Sequence, residues 1–267
     1  MSTKNNDFKN IKLVALDIDG TLLDDNLEIS VRTKKTIEDL ISRKIYVALV
    51  TGRTFRAAEF IRKKLGVEMP IIAYNGGKVV IPPKGEVFGR KIPLTEAIKV
   101  IKYGEERDLY VKVYIDDVLY IKEPDAKSLA FSSSNNINYK VVGKLSENIY
   151  EDVNMVIVYY EYDIHGVIDE KLNDIDVTIT TSVSNSIDVI PKGVSKAKGL
   201  KIVADYLGIG RDAILAIGNS LNDLEMLQYA GIGIAMKNSD LGLLREWNNV
   251  SEYTNNEEGV YHIIKQI

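Results

Sequence analysis

Apolar residues along this chain fall into short runs separated by longer stretches of helical spacing. Ile11 to Leu16 is mostly apolar with one interrupting lysine, the pattern of a buried parallel strand. A polar turn follows, and Ser30 is placed to N-cap a helix running to about Arg43. Ile45 to Val50 repeats the buried-strand pattern and ends at Thr51-Gly52-Arg53, after which Phe55 to Leu65 has helical spacing. Ile71 to Tyr74 reads as a third strand, ending at Asn75-Gly76-Gly77. Strands alternating with helices predict a parallel, doubly wound α/β sheet, whose ligands bind beyond the carboxyl ends of the strands.

From about Pro82 the rhythm changes. Pro82-Pro83-Lys84-Gly85 reads as a boundary. Beyond it lie a helical stretch near Thr95 to Glu106 and two strand-like runs, Tyr110 to Ile115 and Val118 to Ile121, with Asp116-Asp117 between them as a hairpin turn. A further helix, the run Val153 to Tyr160, and strands near Val177 and Ile187 complete an α+β section with antiparallel pairs. After Pro191 the α/β rhythm returns, with a helix from about Ser195 to Leu207, a strand Ala213 to Ile217, another helix, short strands near Ile232 and Val250, and a last helix from about Glu257. The simplest parse is a core of residues 1–83 and 189–267 interrupted by an inserted α+β domain of residues 84–188.

The polar turns at the strand ends hold the chemistry-bearing residues. Asp17 and Asp19 sit just past the first strand, and Gly20 and Thr21 turn the chain away. Two carboxylates at this spacing can divide labour, one as nucleophile and metal ligand, the other handling a proton. Singly, the other positions have plain structural readings. Thr51 could N-cap the next helix, Lys196 could be a solvated helix residue, Asn75-Gly76 a turn, and Arg53 a surface ion-pair partner. Their succession at strand ends and at one helix start moves the weight toward function.

The run Asp17-Ile18-Asp19-Gly20-Thr21 resembles the first motif of the haloacid dehalogenase superfamily of phosphohydrolases, and the chain as a whole resembles its Cof-type branch. Thr51 matches the second motif, Lys196 in Lys192-Gly193-Val194-Ser195-Lys196 the third, and Gly218-Asn219-Ser220-Leu221-Asn222-Asp223 stands for the fourth, Gly-Asp-x-x-Asn-Asp. Asn75-Gly76 and the stretch Ile234-Ala235-Met236-Lys237-Asn238 are similar to further landmarks of the branch.

The resemblance implies a HAD-like core with a large α/β cap as the inserted domain. It also implies hydrolysis of a small phosphorylated metabolite through an aspartyl-phosphate on Asp17. Asp19 would be the proton-transfer group, Thr51 and Lys196 would relieve charge on the transferring phosphoryl group, and Gly52, Arg53, Asn75 and Asn222 would lie on the substrate side. Mg2+ would be held among Asp17, Asp19, Asn219 and Asp223. The cap would close over the site and set specificity, and relatives act on sugar phosphates or on phosphorylated cofactors such as flavin mononucleotide or pyridoxal phosphate.

One position departs from the pattern. Where the family usually has an aspartate that binds magnesium, this chain has Asn219. An amide oxygen can ligate a hard cation but brings no formal charge, so a weakened, functional magnesium site is the expectation.

Composition narrows the alternatives. Cysteine is absent and there are two histidines, His165 and His262, far apart, so any metal should be a hard cation held by oxygens, and a reducing cytoplasm is the expected setting. The net charge of −4 argues against general nucleic-acid binding. No apolar run is long enough to span a bilayer, which removes a membrane ion pump of similar motifs, and Met1 to Asn10 lacks the apolar core of a signal peptide. Gly208-Ile209-Gly210 mimics a dinucleotide fingerprint but follows a helix and precedes a strand, so it reads as a helix-ending turn. The tyrosines of 110–120 and 159–162 read as strand residues in preference to a stacking platform, the two histidines as structural or exposed, and the Ser/Asn run 132–136 as a loop. Two other functions share these motifs: a phosphosugar mutase, which would return the phosphoryl group to a sugar, and a phosphate-ligand-binding protein that has lost turnover. The partner in each case is a small phosphorylated molecule.

Overall fold

The computed structural model describes residues 8–124, 129–130, 132–133, 137–164 and 168–267; His165, residues 134–136 of the Ser/Asn run and residues 1–7 of the N-terminal segment lie outside them. The first buried run forms β1 (Leu13–Leu16), which becomes the centre of a seven-stranded sheet. On one side it pairs in parallel with β2 (Tyr46–Val50), which pairs with β3 (Ile71–Ala73). On the other it pairs in parallel with β12 (Ile214–Gly218), which pairs with β13 (Ile232–Ala235).

Helices cover both faces of this sheet, and strand residues alternate between them as the pleat requires. Leu13 and Ala15 pack with Leu200, Val203 and Met226 of the helices Lys196–Leu207 and Leu224–Tyr229. Val14 and Leu16 pack with Ile37, Leu40 and Ile61 of Val31–Ser42 and Phe55–Leu65. Ser30 is the expected N-cap, its side chain accepting from Thr33 N at 3.0 Å. Gly208 ends its helix in the left-handed region, as a turn and not a nucleotide loop.

Pro82 to Gly85 is a turn inside this sheet and not its boundary. It joins β4 (Lys78–Ile81) to β5 (Gly85–Gly89), an antiparallel pair that extends the sheet beyond β3. The expected limit at residue 84 therefore falls within a hairpin. Alternating buried positions in Lys78–Ile81 bind this edge to the core. At the far edge, Val250 makes a single bridge with Ala235 and no strand.

The chain leaves this sheet after Gly89 and builds a second, six-stranded one. Its members are β6 (Tyr110–Ile115), β7 (Val118–Ile121), β8 (Asn138–Val141), β9 (Met155–Tyr159), β10 (Val177–Thr180) and β11 (Ser186–Pro191). They lie side by side in the order β10-β11-β9-β6-β7-β8. The pairs are antiparallel as expected, except that β8 lies parallel to β7. Asp116 and Asp117, both in the left-handed region, make the hairpin turn between β6 and β7. One face of this sheet packs on the helix Leu94–Glu105, whose Ala97, Val100 and Ile101 meet Val111, Val113, Val156 and Val158. The other face, with Tyr114, Met155, Ile157 and Ile190, joins the core that runs on into the first sheet. That face roofs the strand ends where Asp17 and Thr51 stand.

Candidate active site

Four strands of the first sheet end side by side, and each delivers one loop. β1 delivers Asp17 and Asp19, β2 delivers Thr51 to Arg53, β3 delivers Asn75, and β12 delivers Asn219 to Asp223. The backbone ties these loops to each other: Asn75 N donates to Thr51 O at 2.9 Å, Tyr74 N to Arg53 O at 2.9 Å, and Asp17 N to Ile217 O at 3.0 Å.

Lys196 comes from a different direction, at the start of the helix Lys196–Leu207, which Ser195 caps. Gly76 fixes where this helix begins. Its φ is +100°, and a Cβ there would run into the carbonyl of Ser195, so bare backbone packs against the turn that aims the lysine.

The Lys196 side chain is only 2% exposed and its ammonium lies between two carboxylates, 2.8 Å from Asp17 Oδ1 and 2.6 Å from Asp223 Oδ1. A solvated helix residue it is not. Burial works against its charge, but Asp17 and Asp223 outweigh that and hold its pKa above the ordinary range. Asp17 has the opposite balance. Burial pushes its carboxyl up, Lys196 pulls it down, Asp223 pushes again, and it rises from 3.8 to about 7. One ammonium serving two buried carboxylates leaves Asp17 the under-compensated partner.

Asp223 is fully buried, and both its oxygens are engaged, Oδ1 with Lys196 and Oδ2 with the backbone N–H of Asn219 (2.9 Å) and Ser220 (3.0 Å). It therefore shapes the fourth loop and holds Lys196, a different place from the metal-facing one expected of it. Asn222 donates to Asn75 Oδ1 at 3.0 Å, and Asn75 donates to Asp188 Oδ2 of β11 at 3.1 Å. These amides thus link the fourth loop to the second sheet. Burial raises the pKa of Asp188 despite hydrogen bonds from Ser182 and Asn75.

Thr51 is buried and accepts from Arg53 N at 3.0 Å; the N-cap of the following helix is Thr54, so Thr51 is free of that role. Arg53, its side chain 8% exposed, clasps both carboxylate oxygens of Asp19, at 2.7 Å through Nε and 2.5 Å through Nη2. Burial opposes the guanidinium charge, and Asp19 more than restores it. The expected proton-transfer group and the expected substrate arginine are thus partners of each other.

Asn219 reaches Asp17 from the opposite side to Lys196. The inward atom of its amide lies 3.0 Å from Thr21 Oγ1, 2.8 Å from the Asp19 carbonyl oxygen and 3.1 Å from Asp17 Oδ2. Among the described residues no three His, Cys, Asp or Glu side chains cluster as a metal cage. The donor set nevertheless fits Mg2+ when the amide presents its oxygen. Asp17 Oδ2, Asp19 O and Asn219 Oδ1 would then be three oxygens around one point, one of them anionic, the kind of donors a hard cation takes.

Above these groups lies a cavity of about 270 Å³ lined by Asp17, Thr51, Arg53 and Lys196 below and by Tyr114, Met155, Ile157 and Tyr159 above. The tyrosine runs 110–120 and 159–162 read as strand residues in preference to a stacking platform, and Tyr114 and Tyr159 are strand residues whose side chains also line this cavity. The alternation Met155, Ile157, Tyr159 fixes a shared face without saying what that face covers. Asp117 holds the roof down: Tyr74 Oη donates to its Oδ1 at 2.7 Å, and its N–H donates back to Tyr74 Oη at 3.0 Å. His262 stacks on Tyr253 at 3.9 Å and does not line this cavity.

Comparison with known proteins gives the same outline. The family model of haloacid dehalogenase-like hydrolases matches residues 14–264. The chain is 33% identical over 264 residues to the 5-amino-6-(5-phospho-D-ribitylamino)uracil phosphatase YitU of Bacillus subtilis, covering 95% of this chain and 96% of that one. A crystal structure from Thermotoga maritima superposes with a TM-score of 0.76 at 30% identity, over 96% of this chain and 97% of the other. A haloacid dehalogenase-like hydrolase from B. subtilis shares the fold with a TM-score of 0.82 at 24% identity, over 96% and 99%. No helix among the described residues is long and apolar enough to cross a membrane.

Proposed function

Because the chain belongs to the haloacid dehalogenase-like hydrolases and is a phosphatase of small phosphorylated substrates, we propose that it cleaves a phosphoric monoester in two steps at Asp17. Asp17 attacks phosphorus and forms an aspartyl-phosphate as the bond to the leaving oxygen breaks. Asp19 gives its proton to that oxygen, then takes one from the water that attacks the aspartyl-phosphate and releases inorganic phosphate. For this Asp19 must leave the clasp of Arg53, and an anionic substrate offers Arg53 a replacement partner. Lys196, and Thr51 through its hydroxyl, face the negative charge that spreads over the phosphoryl oxygens in transfer.

Asp17 Oδ2, the Asp19 carbonyl and the amide oxygen of Asn219 are the groups that would hold Mg2+. When bound, the ion would offset repulsion between the Asp17 carboxylate and the phosphate dianion and keep Asp17 ionised. Asp223 contributes by holding Lys196 and the loop of Asn219.

The inserted section acts as the cap, closing over the site and reading the part of the substrate beyond phosphate. The aromatic and apolar roof of Tyr114, Met155, Ile157 and Tyr159 supports a leaving group with a planar or apolar portion, such as the pyrimidine of the YitU substrate or a phosphorylated cofactor. The observation that carries the reading is the buried Asp17 held by Lys196 on one side and faced by Asn219 on the other, beneath that roof.

The test is a phosphate-release screen with Mg2+ over ribitylaminopyrimidine phosphates, flavin mononucleotide, pyridoxal phosphate and sugar phosphates, with Asp17→Asn as blank. Release above the blank from at least one class is expected. Binding of these compounds without release from any would defeat the hydrolytic reading in favour of a ligand-binding protein, and isomer formation without release would favour a mutase.

A further inference from the structure

The amide of Asn219 can do what a carboxylate cannot, which is to turn over. With oxygen inward, Oδ1 faces two other oxygens, at 2.8 and 3.1 Å, an arrangement that a cation relieves when Asp17 is ionised. With nitrogen inward, Nδ2 donates to the Asp19 carbonyl at 2.8 Å and to Asp17 Oδ2 at 3.1 Å. The third neighbour, Thr21 Oγ1 at 3.0 Å, serves either orientation, because a hydroxyl both donates and accepts. Room for the amide is secured by Gly20, where a Cβ would lie 3.1 Å from Asn219 Cγ.

We propose that Asn219 is a two-state latch on the divalent-cation site, a role that rests on the assignment of Asp17 Oδ2 and Asp19 O as the cation-facing oxygens. Without a cation the amide points its N–H groups inward and occupies those two oxygens. With a cation it turns over and supplies its own oxygen as the third ligand. The inward face is then satisfied in both states, while the outward end, which faces only donors, favours the oxygen and so the cation-free state; the cation must displace two hydrogen bonds and turn the NH₂ outward against those donors to enter. An aspartate at this position would face Asp17 across about the same gap, carboxylate to carboxylate, and would depend on the cation for its stability.

The experiment uses the full chain and its Asn219→Asp and Asn219→Ala variants, with binding and unfolding as readouts. Magnesium titration by calorimetry should show Asn219→Asp binding at least tenfold more tightly than wild type. In EDTA the Asn219→Asp protein should melt below wild type, and saturating Mg2+ should raise its melting temperature more than that of wild type. In wild-type protein the side-chain NH₂ signals missing from Asn219→Ala should be protected from solvent exchange in EDTA and lose protection with Mg2+. Equal Mg2+ affinities, an Asn219→Asp protein as stable as wild type in EDTA, or amide exchange indifferent to Mg2+ would each overturn the latch. Failure of every phosphoester to be hydrolysed, with these binding results intact, would count against the phosphatase reading and leave the latch standing.

Discussion

Replacing Asp17, the proposed nucleophile, with its neutral isostere should stabilise the metal-free protein while abolishing turnover. Burial raises Asp17 from 3.8 to about 7, so the folded state prefers the protonated acid and ionisation costs stability. The sign follows from the direction of the shift. Below about pH 4 the group is protonated folded or unfolded and nothing is lost. As pH rises toward 7 the unfolded chain ionises freely and the folded one does not, so stability falls, and above 7 the full loss stands. At ~1.4 kcal/mol per pH unit the ceiling is ~4 kcal/mol. Asp17→Asn removes this penalty, into which the pull of Lys196 already enters, and the imperfect fit of an amide to the hydrogen bonds of a buried carboxyl takes back ~1–3 kcal/mol. A net gain of ~1–2 kcal/mol, or a rise of roughly 3–6 °C in melting temperature, is expected at pH 8. Thermal unfolding by circular dichroism in EDTA, stepped from pH 4 to pH 8, reads the effect directly. The reasoning fails if the variant is no more stable than wild type at pH 8, or if its advantage is the same at pH 4.

Lys196→Met strands two buried carboxylates, and its unfolding free energy at pH 7.5 should fall by ~3–5 kcal/mol in a urea titration, with phosphate release lost at any Mg2+ concentration. A fall under ~1 kcal/mol would mean that Asp17 and Asp223 do not depend on it. Gly76→Ala forces a side chain into a left-handed position against Ser195, so a loss of ~1–3 kcal/mol is expected, with kcat falling further than KM rises because Lys196 is moved. Tyr74→Phe deletes both hydrogen bonds to Asp117 and should loosen the roof. Amide exchange in β6 and β7 should quicken and KM rise, while exchange in β1 and β2 stays unchanged; uniform exchange across both sheets would argue against it.

Much of the first sheet was legible because its strands are buried on both faces and read as continuous apolar runs. Ile11 to Leu16 and Ile45 to Val50 could hardly be anything else. The β4–β5 hairpin was missed for a physical reason as well. Its strands are short, and Pro82-Pro83-Lys84-Gly85 carries turn chemistry identical to that of a domain boundary, so only pairing partners distinguish the two. Asp17, Thr51, Asn75, Lys196 and Asn219 were placed by motif. Their mutual arrangement was not, since pairings such as Arg53 with Asp19 join residues 34 apart, and Lys196 with Asp17 residues 179 apart. Asp188 gave no local signal, and the tyrosine runs that hold Tyr114 and Tyr159 read as strand; strand periodicity cannot show that their face looks down on a carboxylate.

The second sheet also has a consequence for the ancestry and redesign of this chain. All its residues hang between Gly89 and Pro191, and at the neck Arg90 Nη1 donates to Lys192 O at 3.0 Å. Exit and re-entry are therefore neighbours, and the first sheet is closed across the gap without help from what is inserted there. Because the entropy of closing a loop grows only with the logarithm of its length, the insert can lengthen or shrink at little entropic expense, provided the apolar face of Tyr114, Met155, Ile157 and Ile190 still covers the core it shares with the first sheet. On the proposed reading of the second sheet as the cap, the neck lets its outer strands and loops vary with the leaving group while Asp17 and its neighbours stay as they are.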